Sequence, residues 1–216
     1  MNQKNAEADV QDDHSREREK DFSGLTIGVL GVQGAVMEHM QAVEQCGARA
    51  LFIRNPSLLS ELDGLILPGG ESTTIGRLIK RYNYEKGIND LAKAGKPLWG
   101  TCAGMVLLAQ EVENQEALLG LMSITVRRNA FGRQRESFEA DLDVPALGNG
   151  PFRGVFIRAP IILSSEEGVH VLARFKDYIV AARQDHFMVS SFHPELTSDL
   201  RFHQYFLQAA LTAHSI

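Results

Sequence analysis

One of the two cysteines in this chain, Cys102, sits in a setting that favours reaction. The segment Trp99-Gly100-Thr101-Cys102-Ala103-Gly104-Met105 has the small-x-nucleophile-x-small form of a strand-to-helix elbow, with cysteine in the serine position. A turn this sharp forces the nucleophile into a strained backbone conformation. Gly100 and Gly104 fit two residues to either side, where side chains would strike neighbouring backbone. The turn also puts Cys102 at a helix N-terminus, where the macrodipole favours an anion. On its own, the same pattern describes a small buried cysteine beside loop glycines. Cys46 ends an amphipathic helix with no glycine frame and reads as a packing residue.

A thiol nucleophile needs a base to hold and shuttle its proton. Of seven histidines, His193 stands apart, in Ser191-Phe192-His193-Pro194-Glu195 just after an apolar strand. Strand ends are where α/β enzymes place catalytic groups. Glu195 can accept a bond from the imidazole, giving nucleophile, base and orienter in the order Cys, His, Glu. The remaining histidines, including His39 and His203, lack such a setting and read as surface or packing residues. A third element, Pro68-Gly69-Gly70-Glu71-Ser72-Thr73, also follows a buried strand. Its glycines let backbone N–H groups approach a substrate closely. Acyl transfer uses two such donors on the developing oxyanion, and the natural pair is the N–H of Ala103 and that of Gly70. A phosphate cradle is the weaker alternative, because neither Gly-Lys-Ser/Thr nor GxGxxG spacing is present. The plain alternatives are a turn before a helix for His193–Glu195 and a tight capped turn for the glycine loop.

The elements that must carry these groups alternate. Leu25–Leu30, Ala50–Ile53 and Gly64–Leu67 are short apolar runs of the kind buried on both faces of a parallel sheet. Val36, Met40 and Val43 recur at helical spacing before Gly47. Thr73 to Ala94 reads as helix interrupted around Asn83, Lys96–Trp99 leads into a strand, and Met105–Val112 is expected to be helical. This half predicts a doubly wound α/β sheet. Beyond Leu121, the strand-like pieces Ser123–Val126, Gly154–Ile157, Tyr178–Ala182 and Met188–Phe192 are expected to extend the sheet and add hairpins at one edge. A last helix from about Asp199 is expected to present Phe202, Phe206, Ala209 and Ala213 on one face.

Composition narrows the setting. The chain has 216 residues, 44% of them hydrophobic and 23% charged, which suits one globular domain. The formal charge of -5 argues against a nucleic-acid partner. No apolar run approaches the roughly 20 residues a membrane span needs. Two cysteines make no disulfide framework and no CxxC pair, so zinc has no support and a reducing cytoplasm is the expected compartment. Residues 1–22 are charged, with little to bury, and read as a tail.

Taken in order, these segments resemble the class I (triad) glutamine amidotransferases. Finer motifs narrow the match to the glutaminase subunits of two-component pyridoxal phosphate synthases: Gly31-Val32-Gln33-Gly34, the Pro68–Thr73 and Gly100–Gly104 loops, Arg128-Asn129-Ala130-Phe131-Gly132-Arg133, Gly154-Val155-Phe156-Ile157-Arg158-Ala159-Pro160, and Ser191–Glu195. The resemblance runs from about Leu25 to Ala210. It implies a three-layer α/β/α sandwich of flavodoxin-like type over residues 23–216. It implies glutamine hydrolysis through a Cys102 thioester with His193 and Glu195, and no cofactor or metal. Gly70, Glu71, Ser72, Arg128, Ile157 and Arg158 match the glutamine-binding positions, and Gln33 matches a residue near the subunit interface. The implied partner is a synthase subunit that receives the ammonia. Without the resemblance, Arg128 would read as one charge of a solvated cluster with Arg127, Arg133 and Arg135. An amidotransferase serving another acceptor, a non-catalytic binding relative, and a cysteine peptidase or esterase are the competing readings.

Overall fold

The computed structural model describes residues 20–131 and 137–215. Residues 1–19 of the expected tail, and Gly132 and Arg133 of the arginine motif, lie outside them. Strands β1 (Thr26–Leu30), β2 (Arg49–Ile53), β3 (Gly64–Leu67) and β4 (Leu98–Thr101) alternate with helices α1 (Val36–Gln45), α2 (Ser72–Arg81) and α3 (Tyr84–Lys93). The helical stretch between β3 and β4 breaks as expected: Asn83 takes a left-handed φ of 58° between α2 and α3. The elbow follows, with α4 (Ala103–Leu108) and β5 (Ala109–Val112). The second half supplies β6 (Met122–Arg127), β7 (Ser137–Leu142), β8 (Phe152–Ile157), β9 (Ile161–Ser165), β10 (His170–Phe175), β11 (Tyr178–Gln184), β12 (Phe187–Ser190) and the terminal helix α5 (Arg201–His214).

The main sheet runs β2-β1-β3-β4-β12-β11-β9-β6-β5, with β10 branching from β11. Its first five strands are parallel throughout. Helices cover both faces. Leu65 and Leu67 of β3 pack with Ile75, Ile79 and Ile88 of α2 and α3. Ile66, between them, faces the other way and packs with Val36 and Val43 of α1 and Phe202 and Phe206 of α5. Side-chain alternation at period two thus feeds two separate cores and gives the three layers. Phe22 is buried on the α1/α5 face.

Register sets up the site. Leu67 pairs with Gly100, and Thr101 with Ser190, so β3, β4 and β12 end at the same level. The glycine loop, the elbow and the Ser191–Glu195 segment therefore leave three adjacent strands at one edge, where ligands of open α/β sheets bind.

Three expectations are corrected. Met105–Val112 is not one helix: α4 stops at Leu108, Ala109 turns to extended backbone, and Ala109–Val112 joins β6 as a parallel edge strand. Ala109 and Val112 are buried while Gln110 and Glu111 are exposed, so sheet pairing outweighs the apolar run's helical preference. Gly154–Ile157 does not extend the main sheet; β8 pairs with β7 in a separate two-stranded sheet, burying Phe152 and Phe156 against the α5 side. On α5 the buried stripe is Phe202, His203, Phe206, Leu207 and Ala210, whereas Ala209 and Ala213 are only half-buried. Among the described residues no helix is long and apolar enough to cross a membrane.

Candidate active site

Cys102 has φ 47° and ψ −102°, a conformation that costs a non-glycine residue of order 1–3 kcal/mol. The surroundings over-determine it. The Cys102 N–H donates to the Ser190 carbonyl at 2.7 Å, and the Met105 N–H donates to the Cys102 carbonyl at 3.1 Å. Gly100 and Gly104 lie so close that a side chain on Gly100 would overlap the Gly104 carbonyl, and one on Gly104 would overlap that of Leu67. The thiol is buried, and its Sγ lies 3.8 Å from the Ile157 carbonyl, to which it can donate.

His193 leaves the sheet one strand away. Its N–H donates to the Val155 carbonyl at 2.8 Å, so the β8 hairpin holds the histidine's backbone. Pro194 starts a single 3₁₀ turn that swings Glu195 back under the ring. His193 Nδ1 lies 2.7 Å from Glu195 Oε1. An ionised carboxylate only accepts, so Nδ1 carries the proton and Nε2 is left for the sulfur. Burial would push the His193 pKa down, but hydrogen bonding to Cys102 and Glu195, with the charge of each, lifts it to about 10. Gly69 lets the glycine loop pack directly on the ring: a side chain there would collide with His193 Cε1.

Behind this trio lies a cluster that the sequence reading assigned to packing. His39, Thr101 and His203 are fully buried. His39 Nε2 is 3.3 Å from Glu195 Oε2 and 3.1 Å from Thr101 Oγ1, and its Nδ1 is 3.0 Å from His203 Nε2. A signal was present: His39 interrupts the Val36–Val43 apolar stripe, and His203 sits on the Phe202–Phe206 stripe. A polar ring on a buried face needs a polar partner.

A cavity of about 200 Å³ opens onto Cys102 and His193. Every expected substrate contact lines it: Gly70, Glu71, Ser72, Arg128, Ile157 and Arg158, and Ala103 with them. Their side chains differ in how they are engaged. The Glu71 carboxylate caps α2, accepting from the N–H groups of Thr73 and Thr74 at 3.1 and 2.8 Å. Partial burial opposes ionisation, yet the Thr74 hydroxyl and these N–H bonds hold its pKa at about 2. Arg128 donates to Glu71 Oε1 at 3.1 Å, to Thr73 Oγ1 at 3.2 Å and to Gln115 Oε1 at 2.8 Å, which orients the guanidinium over the cavity mouth. Arg158 has φ 43°, and this turn carries the Ile157–Arg158 pair past the thiol. Gln33 is not among the lining residues; its Oε1 accepts from the Glu71 N–H at 3.2 Å and so props the glycine loop from outside. Cys46 is remote, and burial pushes its thiol up to about 11, which suits a packing role.

This sheet, these layers and a cysteine elbow at the strand ends define the class I glutamine amidotransferase fold. A solved structure described as "Crystal structure of glutamine amidotransferase" superposes with a TM-score of 0.81 at 48% identity, covering 85% of this chain and 98% of that one. A model of the SNO glutamine amidotransferase family matches residues 29–212, and the chain belongs to that family. It is 58% identical over 184 residues to "Pyridoxal 5'-phosphate synthase subunit PdxT" of Geobacillus kaustophilus, covering 85% of this chain and 93% of the relative. The protein of the same name from Pelotomaculum thermopropionicum is 52% identical over 190 residues, with coverages of 88% and 97%. The structure of PurLQS from Thermotoga maritima, 18% identical with a TM-score of 0.64, shares the fold.

Proposed function

We propose that residues 23–216, together with the buried Phe22, form the glutaminase subunit of a pyridoxal 5'-phosphate synthase, with Cys102, His193 and Glu195 as its triad and residues 1–21 as an appendage. The observation that carries the reading is the convergence of Cys102, the His193–Glu195 pair and Gly70 on one small cavity. The identity to proteins named as that subunit supports the choice among amidotransferases.

With His193 already holding the proton as an imidazolium, the sulfur of Cys102 attacks the carboxamide carbon of glutamine. The tetrahedral oxyanion is met by the N–H groups of Ala103 and Gly70. Glu195 steadies the imidazolium, as an acid partner does in any nucleophile–base–orienter triad. The imidazolium then protonates the departing nitrogen, ammonia leaves, and a γ-glutamyl thioester remains. Water, giving its proton to His193, attacks the thioester and releases glutamate, so one glutamine and one water yield one glutamate and one ammonia. Arg128 is suited to pair with the α-carboxylate of the substrate, since a guanidinium binds a carboxylate through two parallel N–H donors. Ammonia passes to the synthase subunit.

The test is glutamate release from glutamine by the chain alone and with the synthase subunit added. Turnover that rises on addition is expected. Absence of glutamine hydrolysis under both conditions overturns the reading, and turnover indifferent to the subunit overturns the choice of partner.

A further inference from the structure

We infer that His39, itself held by His203, is a positioning residue for catalysis: it presents an N–H to the Glu195 oxygen that His193 leaves unused. The inference rests on the glutaminase reading above and extends it to residues that touch neither substrate nor sulfur.

The chemistry of the partners dictates where the protons sit. Glu195 Oε1 takes the bond from His193 at 2.7 Å. Oε2 is buried and has no aligned hydrogen bond; what faces it is His39 Nε2 at 3.3 Å. A carboxylate is only an acceptor, so a bare ring nitrogen at that distance would set two lone pairs against each other. His39 Nε2 therefore carries the hydrogen, shared between Thr101 Oγ1 at 3.1 Å and Glu195 Oε2. In a neutral ring, Nδ1 is then bare and must accept, and His203 Nε2, 3.0 Å away, supplies that proton. His203 Nδ1 is left bare in turn, and it is the atom of that ring that lacks a partner. The opposite tautomers would bury an orphan N–H on His203 and repel Glu195 at the other end. The orphan atom thus falls where the donor chain ends.

Both rings stay neutral. Burial lowers the His39 pKa, the Glu195 charge opposing and the His193 charge assisting, with Glu38 of its own helix a weaker opposing charge. Burial, then the neighbouring His39, takes His203 well below its ordinary value. Trp99 fixes both rings from the side, with centroids 5.5 Å from His39 and 4.9 Å from His203. The consequence for Glu195 is mechanical as well as electrostatic. A carboxylate held at one oxygen can rotate about its last torsion, whereas one held at both presents Oε1 to His193 in a fixed plane. It also stays ionised despite burial, because donors to a carboxylate favour its charged form.

The experiment uses the complex with the synthase subunit, glutamine as substrate, and three variants. His39→Leu removes the donor and keeps bulk. His39→Gln keeps an N–H near the position of Nε2. His203→Leu removes the support behind it. Expected for His39→Leu is a kcat lowered about 10- to 100-fold, with KM changed less than about twofold, and an acid limb of the kcat/KM profile moved up by about one pH unit. A carboxylate with one donor fewer protonates at higher pH. His39→Gln should recover kcat to within about threefold, and His203→Leu should move the acid limb in the same direction by less. A folded His39→Leu with unchanged kcat and acid limb overturns the inference. So does equal loss in His39→Leu and His39→Gln without a shift of that limb, the mark of a purely structural role. Should His39→Leu not fold, His203→Leu decides: an unmoved acid limb overturns the inference. Activity surviving Cys102→Ala would instead strike the triad reading itself, so the two failures are distinguishable.

Discussion

The two oxygens of Glu195 face histidines in opposite states. On the cavity side, His193 is lifted to about 10 by an acid partner and a sulfur that outweigh its burial. On the sealed side, His39 and His203 are pushed down, because burial is the leading influence: at His39 it outweighs the opposing charges of Glu195 and Glu38, and at His203 nothing opposes it. The side chain is the same and the separation is a few ångströms. Burial alone thus fixes neither role nor charge. A buried imidazole is ionised when a closely bonded carboxylate and a sulfur converge on it, and neutral when full burial outweighs a single, less closely held carboxylate. One carboxylate can therefore serve as anchor for a proton carrier on one face while being anchored on the other.

The largest disruption removes the group that makes the cavity side reactive. Cys102→Ala should lower glutamine turnover by on the order of 10⁴ or more, with the folded state intact by circular dichroism. Retained turnover would dissolve the distinction between the two sides. Glu195→Gln cuts the joint they share, and a fall in kcat of about 10²- to 10⁴-fold is expected, together with a drop in the His193 pKa by NMR titration. An unshifted His193 would mean that the sulfur alone sets its charge. Arg128→Ala lies outside the comparison and should raise KM for glutamine about tenfold while moving the pH profile little.

The smallest effect concerns folding, where the two sides give opposite slopes. His39 and His203 have folded-state values below the 6.5 of the unfolded chain, so below that pH the unfolded state binds more protons. Stability should then fall as pH drops from about 6.5, by up to ~1.4 kcal/mol per pH unit for each ring. His193 is raised, so its contribution is full below 6.5 and is lost as pH rises through about 10. Chemical denaturation across this range should show a maximum between the two limbs, and His203→Leu should flatten the acidic one. An unchanged acidic limb would mean that His203 is charged inside the fold.

What was legible in the sequence was local. The elbow could be read because its glycines stand two residues from Cys102 and a strand precedes it. Glu195 could be paired with His193 because only a proline separates them. The stretch Ala109–Val112 was misread because an apolar run continuing a helix and a short edge strand share a pattern, and the decision belongs to β6, which comes later in the chain. His39 went unrecognised for the same reason at longer range: α1 could not disclose that an acid near the C-terminus would need it. Gln33 matched an interface position, but its hold on the Glu71 N–H depends on two loops from different strands meeting. Family resemblance compensated for distance at Arg128, whose partners Thr73 and Glu71 lie 55 and 57 residues away.

The backbone angles of Cys102 carry one more implication. A φ of 47° with ψ of −102° is open to glycine at no steric expense and is resisted by every side chain. The residue that reacts is therefore also a site of conformational tension, and tolerance to heat and capacity for turnover pull against each other at a single codon. Variants of this chain selected for survival at high temperature, with no demand for ammonia, should drift away from cysteine at that position first.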